Sequence, residues 1–272
     1  MKIEEFLKFM GQVKVFDLTQ PLSIHTPPWP SYAPLQLQYF KRIAGAHMGQ
    51  GANGQMVTTS NHVGTHMDGE IHFHASGRAI GQVPIEEWIG PGVVVDISKE
   101  VDDYDLYSPE MLMKKADIQK GDILIINTGY HRYAWDQPGS DELRYFVKHP
   151  GPGPGFHQWA LDMKLKWIGV DCGSADHPMN TIIRNWHPKL FLAAEKKLRS
   201  RYRLGWDEMF PPEEYYQVMH IKLFPKKLVH AENLAGDIDK LNNKRCWIGC
   251  FPLRGIELES SMCRMVALLP PK

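Results

Sequence analysis

The chain is poor in cysteine, carries no long apolar run and has no excess of either charge. Its four cysteines, Cys172, Cys246, Cys250 and Cys263, form no C-x-x-C pair. That excludes a disulfide framework in a chain of this length, along with the common zinc-ribbon and redox motifs. They are expected as reduced core residues, with Cys246 and Cys250 as an alternative metal-ligand pair. The longest apolar stretches, such as 93–95 and 123–126, fall far short of the about 18 residues that span a bilayer, so no membrane helix is expected. Residues 1–7 carry acids early and lack the h-region and small-residue cleavage site of a secretory signal, so a cytoplasmic location is expected. Lys and Arg number 31 against 31 Asp and Glu, a formal net charge of +0. Such a chain has no overall pull toward phosphate or anionic lipid, and nucleic acid and membrane surfaces are excluded as first partners.

What is present suggests one α/β domain over 1–272, since no repeat, low-complexity tract or linker divides it. A strand is expected over 13–19, followed by a rigid Pro27-Pro28-Trp29-Pro30 loop. Residues 92–97, 122–127 and 166–171 are β-rich runs ending in polar residues and read as buried strands. Ser108-Pro109-Glu110 opens a helix with a cap, a first-turn proline and an acid at the positive end, and 156–164 is a second helical segment. Residues 184–217, rich in Trp, Arg, Lys and Tyr, read as a helical insertion with a helix over 189–202. Such a segment would serve as surface, lid or oligomer contact.

The informative stretch is 62–74. Four of the 13 histidines and two carboxylates fall there, all at even positions, while Val63, Met67, Ile71 and Phe73 are odd. Extended chain would therefore show a polar and an apolar face. Six residues fully extended cover about 20 Å, so His62 and Asp68 can share an ion only if the chain bends. Gly64 and Gly69 are the expected places. Imidazole nitrogen and carboxylate oxygen are donors that Zn²⁺ and Mn²⁺ accept, and three protein ligands leave positions for water. Val63 stands where a zincin would carry its glutamate, which argues against that class.

The run His62-x-Gly64-Thr65-His66-x-Asp68-x-x-x-His72 resembles the signature of the metal-dependent cyclase-like hydrolases, a family that includes kynurenine formamidases and isatin hydrolases. The resemblance extends to Phe16-Asp17-Leu18-Thr19-Gln20-Pro21 with Pro28-Trp29-Pro30, to 121–129, to Ile168-Gly169-Val170-Asp171 with Ser174 and Asp176, and to His220 with Glu232-Asn233-Leu234. It implies a swivelling β/β/α architecture with a mixed sheet. It also implies that His62, His66 and Asp68 hold one ion, with Asp68 bridging to a second held by His220 and Glu232. One or two ions of Zn or Mn would be bound, with His72 as acid/base and Glu232 as an alternative proton acceptor. Trp29, Phe73, His25 and His47 become substrate-pocket candidates, and a homodimer or homotetramer is expected. Glu70 departs from the family's usual proline and adds a carboxylate that could salt-bridge or perturb the site, while Asp171 and Asp176 follow a strand end and suit either a site or a structural role.

The expected function is hydrolysis of the C–N or C–O bond of a small amide, lactam or lactone, in which a metal acidifies water and polarises the carbonyl. Two alternatives use the same residues: a metal-dependent lyase or isomerase that stabilises an enolate, and a metal-binding module that does no chemistry.

Overall fold

The structure is a computed structural model that describes residues 2–45, 48 and 51–271, so His47 lies outside the described residues. Among the described residues, twelve strands run in chain order: β1 Lys14–Asp17, β2 Gln36–Lys41, β3 Gly54–Thr58, β4 His66–Asp68, β5 Ile89–Asp96, β6 Leu106–Tyr107, β7 Ile123–Asn127, β8 Gly151–Pro152, β9 Ile168–Val170, β10 His230–Glu232, β11 Lys244–Pro252 and β12 Ser260–Leu269. The three expected buried strands are β5, β7 and β9, which pair in parallel in that order, with β10 parallel beside β9. Val93–Val95 and Ile123–Ile126 are wholly buried. Their unbroken apolar runs reflect a strand covered on both faces.

The sheet closes on itself through β12. That strand pairs with β11 along one edge, while its other edge takes β4 at its start (Ser260 opposite Asp68) and β1 at its end (Leu269 opposite Lys14). Seven strands in the order β12-β11-β5-β7-β9-β10-β4 thus form a mixed, barrel-like ring, with β1 added outside it. The α/β class and mixed sheet match expectation. Closure places β4 between β10 and β12, where its three residues are buried and fixed from both sides.

The expected helices form at Pro109–Met113, Phe156–Asp162 and Pro188–Tyr202. Ser108 caps the first, its Oγ accepting the Met111 N–H at 3.3 Å. Five helices between Ile183 and Ile221 cover a second apolar cluster that includes Met179, Ile183, Leu198, Trp206 and Phe210. All four cysteines are buried and free. Among the described residues, no helix is long and apolar enough to cross a membrane.

Two buried histidines outside the ring set an acid limit on stability. Burial pushes His149 down to about 4 and His177 down to about 3. Both stay neutral in the folded chain, whereas the unfolded chain protonates them near 6.5. Their contribution is complete above pH 6.5 and is lost as pH falls toward 4. For His149 alone the loss is about 2 kcal/mol at pH 5. Urea midpoints at pH 7 and pH 5 should therefore differ less in His149→Leu than in the wild type. Equal differences would assign the acid sensitivity elsewhere.

Candidate metal centre

The bend at 62–74 arises in two ways. Gly64 has φ +63°, a conformation that disfavours any side chain. Gly69 is extended instead (φ −92°), and the turn is made by the short 3-10 helix Glu70–His72. Glycine is required at 69 for closeness: a Cβ there would stand 2.7 Å from the Glu259 carbonyl oxygen. The expectation that the chain bends at Gly69 is corrected to a close approach of two backbones there, with the bend one residue on.

Strand register brings the donors together. Glu232 on β10 lies opposite His66 on β4, and side chains two residues apart share a face, so His230, Glu232, His66 and Asp68 converge inside the ring. His62 arrives from the Gly64 turn and His220 from the helix Val218–Ile221. Asp68 is the hub. Its Oδ1 lies 3.3 Å from His62 Nδ1 and 3.6 Å from His66 Nε2, and its Oδ2 lies 3.6 Å from His220 Nε2 and 3.4 Å from His230 Nδ1. Glu232 closes the group, with Oε2 3.7 Å from His66 Nε2 and Oε1 3.9 Å from His220 Nε2.

Three histidines are anchored by the nitrogen that faces away from Asp68. His66 Nδ1 donates to the Gly64 carbonyl at 2.9 Å, His220 Nδ1 to Asp176 Oδ2 at 2.6 Å, and His62 Nε2 to Glu259 Oε2 at 3.0 Å. Each bond orients its ring and turns the other nitrogen inward, where it can carry a proton or meet an ion. His62 Nδ1 and His66 Nε2 consequently face each other at 3.1 Å. Both oxygens of buried Asp68 lack a hydrogen-bond partner. A buried carboxylate without donors is costly, and a cation relieves that cost. The donor set is the one that divalent Zn or Mn accepts.

Burial and the neighbouring charges redistribute the protons of the cluster. Burial and the Asp68 charge push Glu232 up to about 8. Burial would lower His220, but the hydrogen bond to Asp176 and the nearby Asp68 carboxylate outweigh it and push the group up to about 10. Burial raises Asp68, yet the His220 contact and the surrounding histidines hold it well below its ordinary range. Burial and the neighbouring His62 push His66 down to about 4. Burial would also raise Glu259, but its bonds to His62 and His72 keep it well below the usual carboxylate range.

A pocket of about 60 Å³ opens beside the cluster, walled by Trp29, Tyr32 and Phe73 and floored by His62, His72, His220 and Glu232. Tyr32 stacks on His62 at 4.8 Å, and Trp29 meets Trp186 edge-on at 5.9 Å. His72 Nδ1 is held by Glu259 Oε2 at 2.8 Å. His62, His66, Asp68, His72, His220, Glu232, Trp29 and Phe73 are therefore all brought together. His25 is not: it is exposed, lies 6.5 Å from Trp135 and lines a separate cavity with Pro27 and Tyr133. Glu70 also points away, its carboxylate paired with Arg78 Nη2 at 2.5 Å. Asp171 accepts from Thr128 and His131 rather than facing the cluster.

Sequence reasoning missed four participants. His230 had a readable signal, since His-x-Glu on a strand places both side chains on one face. Asp176 was noted without a role, and it orients His220. Tyr32 and Glu259 carried no local signal and reach the site only through tertiary structure.

A closed mixed ring with an inward histidine and carboxylate cluster at one strand junction defines an α/β protein built around a metal-type centre. The cyclase family model matches residues 16–177, more than half of the chain, and the protein belongs to that family. Its fold is shared with solved isatin hydrolases. The isatin hydrolase A from Labrenzia aggregata, bound to benzyl benzoate, is 19% identical with a TM-score of 0.75, covering 98% of this chain and 99% of that one. The isatin hydrolase A from Ralstonia solanacearum is 18% identical with a TM-score of 0.75, covering 99% and 97%. An isatin hydrolase bound to the product analogue thioisatinate is 20% identical with a TM-score of 0.72, covering 99% and 100%.

Proposed function

We propose that the chain is a metal-dependent hydrolase that opens a small aromatic or cyclic amide, lactam or lactone. The observation that carries this reading is the donor arrangement around Asp68, whose two buried oxygens have no hydrogen-bond partner and face anchored imidazoles beside an aromatic pocket. The isatin hydrolases that share the fold act on such a compound by name, and this supports the substrate class.

His62, His66 and Asp68 would hold one divalent ion, Zn or Mn, with His220 and Glu232 offering donors for a second. When bound, the ion supplies a water acidified toward neutral pH and Lewis acidity at the scissile carbonyl. The chain's own residues supply the rest. Glu259 holds His72 by Nδ1 and leaves its Nε2 free to take the proton of the attacking water and return it to the leaving nitrogen or oxygen. Such transfer contributes about 10²- to 10⁴-fold. Trp29, Tyr32 and Phe73 present flat apolar surface against which a ring can lie, excluding water from one side of the carbonyl. Helices between Ile183 and Ile221 bring Trp186 against Trp29, which suits a lid over this mouth.

Turnover of an aromatic lactam panel in ¹⁸O-water is the direct test. One solvent oxygen should enter the product, and activity should vanish on chelation and return with Zn²⁺ or Mn²⁺. Turnover without label would replace hydrolysis by the lyase or isomerase alternative, and metal uptake without any turnover would favour a binding module. We read the chain further as a homodimer or homotetramer. Leu37, Tyr39, Phe40, Met56 and Val57 are exposed on the β2–β3 hairpin, which supports assembly through it. Elution as a monomer in size exclusion would remove this part of the reading.

A further inference from the structure

We propose that His230 is a protein ligand that completes a closed, four-donor cation site with Asp68, His220 and Glu232. The inference rests on the metal-dependent reading above and assigns that site's internal organisation.

His230 is wholly buried on β10, and neither ring nitrogen has a hydrogen-bond partner. No other histidine of the cluster shares this state, because each of the others is tied by one nitrogen to a carbonyl or carboxylate. A buried imidazole with two unsatisfied nitrogens costs free energy unless something coordinates it. Its Nδ1 points at 3.4 Å to Asp68 Oδ2 and at 3.5 Å to Glu232 Oε1, and the His220 ring stands edge-on at 4.4 Å.

The distances have the size of a coordination shell. Zinc bonds to nitrogen and oxygen of about 2.0–2.2 Å place tetrahedral neighbours roughly 3.3–3.6 Å apart. The edges Asp68–His230, Glu232–His230, Asp68–His220 and Glu232–His220 measure 3.4, 3.5, 3.6 and 3.9 Å. All four donor atoms lie within 4.8 Å of one another, and all four residues are buried. The opposite side of Asp68 differs. There His62, His66 and Asp68 Oδ1 supply three donors, with edges of 3.1, 3.3 and 3.6 Å, and the His62 ring borders the pocket. Four protein donors close a site, while three leave a place for water. The pocket borders both halves, through His62 on one side and His220 and Glu232 on the other, so donor number divides the work: the His230 half holds an ion without an open position, and the His62 half keeps one for water.

The test is cobalt and zinc titration of the chelator-stripped protein, followed by visible absorption and metal stoichiometry in wild type, His230→Leu and His230→Cys. The wild type should take two equivalents per chain, one of them tightly and with the intense visible bands of four-coordinate Co²⁺. His230→Leu should lose that tight equivalent, with affinity at least about 100-fold weaker, and keep the other. Its metal-free melting temperature should equal or exceed the wild type's, which separates ligand loss from misfolding. His230→Cys should add a thiolate-to-cobalt charge-transfer band, which arises only if the side chain at 230 bonds the ion. Unchanged affinities and spectra in His230→Leu, or no such band in His230→Cys, would overturn the ligand role and leave the metal-dependent reading intact. A wild type that binds neither metal would overturn both.

Discussion

Asp68→Ala is expected to leave less than about one tenth of the wild-type metal on the chain and to lower kcat/KM by about 10³- to 10⁴-fold. The two oxygens of Asp68 face both halves of the cluster, Oδ1 toward His62 and His66 at 3.3 and 3.6 Å and Oδ2 toward His220 and His230 at 3.6 and 3.4 Å. Removing any single histidine leaves the other half its carboxylate. Removing Asp68 takes an anionic donor from both. Several kcal/mol of transition-state stabilisation depend on a bound ion, and each 1.36 kcal/mol is a factor of ten in rate, which sets the expected loss. The fold should survive, because β4 is held by backbone pairing to β10 and β12 rather than by the Asp68 side chain. Plasma mass spectrometry of the purified variant, with circular dichroism beside it, reads both quantities. A folded Asp68→Ala protein that retains its metal would end the bridging role and the mechanism built on it.

The parallel core was legible because burial on both faces writes itself as an unbroken apolar run, as in Ile123–Ile126. The helix after Ser108 was legible through its cap and proline. β4 and β10 were not, for a physical reason: each is three residues long, and its inward positions carry histidine and carboxylate where a core strand would carry valine or isoleucine. The replacement that makes the site also erases the strand signal. Closure of the ring was hidden with them, since it depends on β12 dividing one edge between β4 and β1. At the site, the 62–72 run was legible because its spacing is local. Glu259 was not, because it meets His62 across 197 residues of chain, and nothing around position 259 marks it as acidic for a purpose. Glu70 could be expected to salt-bridge or to perturb the site, and the salt bridge forms, with Arg78 eight residues on.

His72→Ala should keep its metal and fold but lose about 10²- to 10⁴-fold in kcat, the range expected for a proton carrier. The proposed roles place His72 beside the ion-holding group: its Nδ1 bonds to Glu259 at 2.8 Å, and its ring lines the pocket. Added imidazole should restore part of the activity, because the space left by the ring opens onto the same pocket. A residue that served only packing would not show this rescue. Glu259→Gln supplies the companion measurement. Glu259 Oε2 accepts from both His72 and His62, so its loss should slow turnover through His72 and also weaken metal binding about 10- to 100-fold through His62. The two variants thus differ in kind: one alters rate with metal intact, and the other alters both. If His72→Ala loses metal to the same extent as His66→Ala, then His72 is a ligand, and the proton must be carried by the other buried acid at the pocket floor, Glu232.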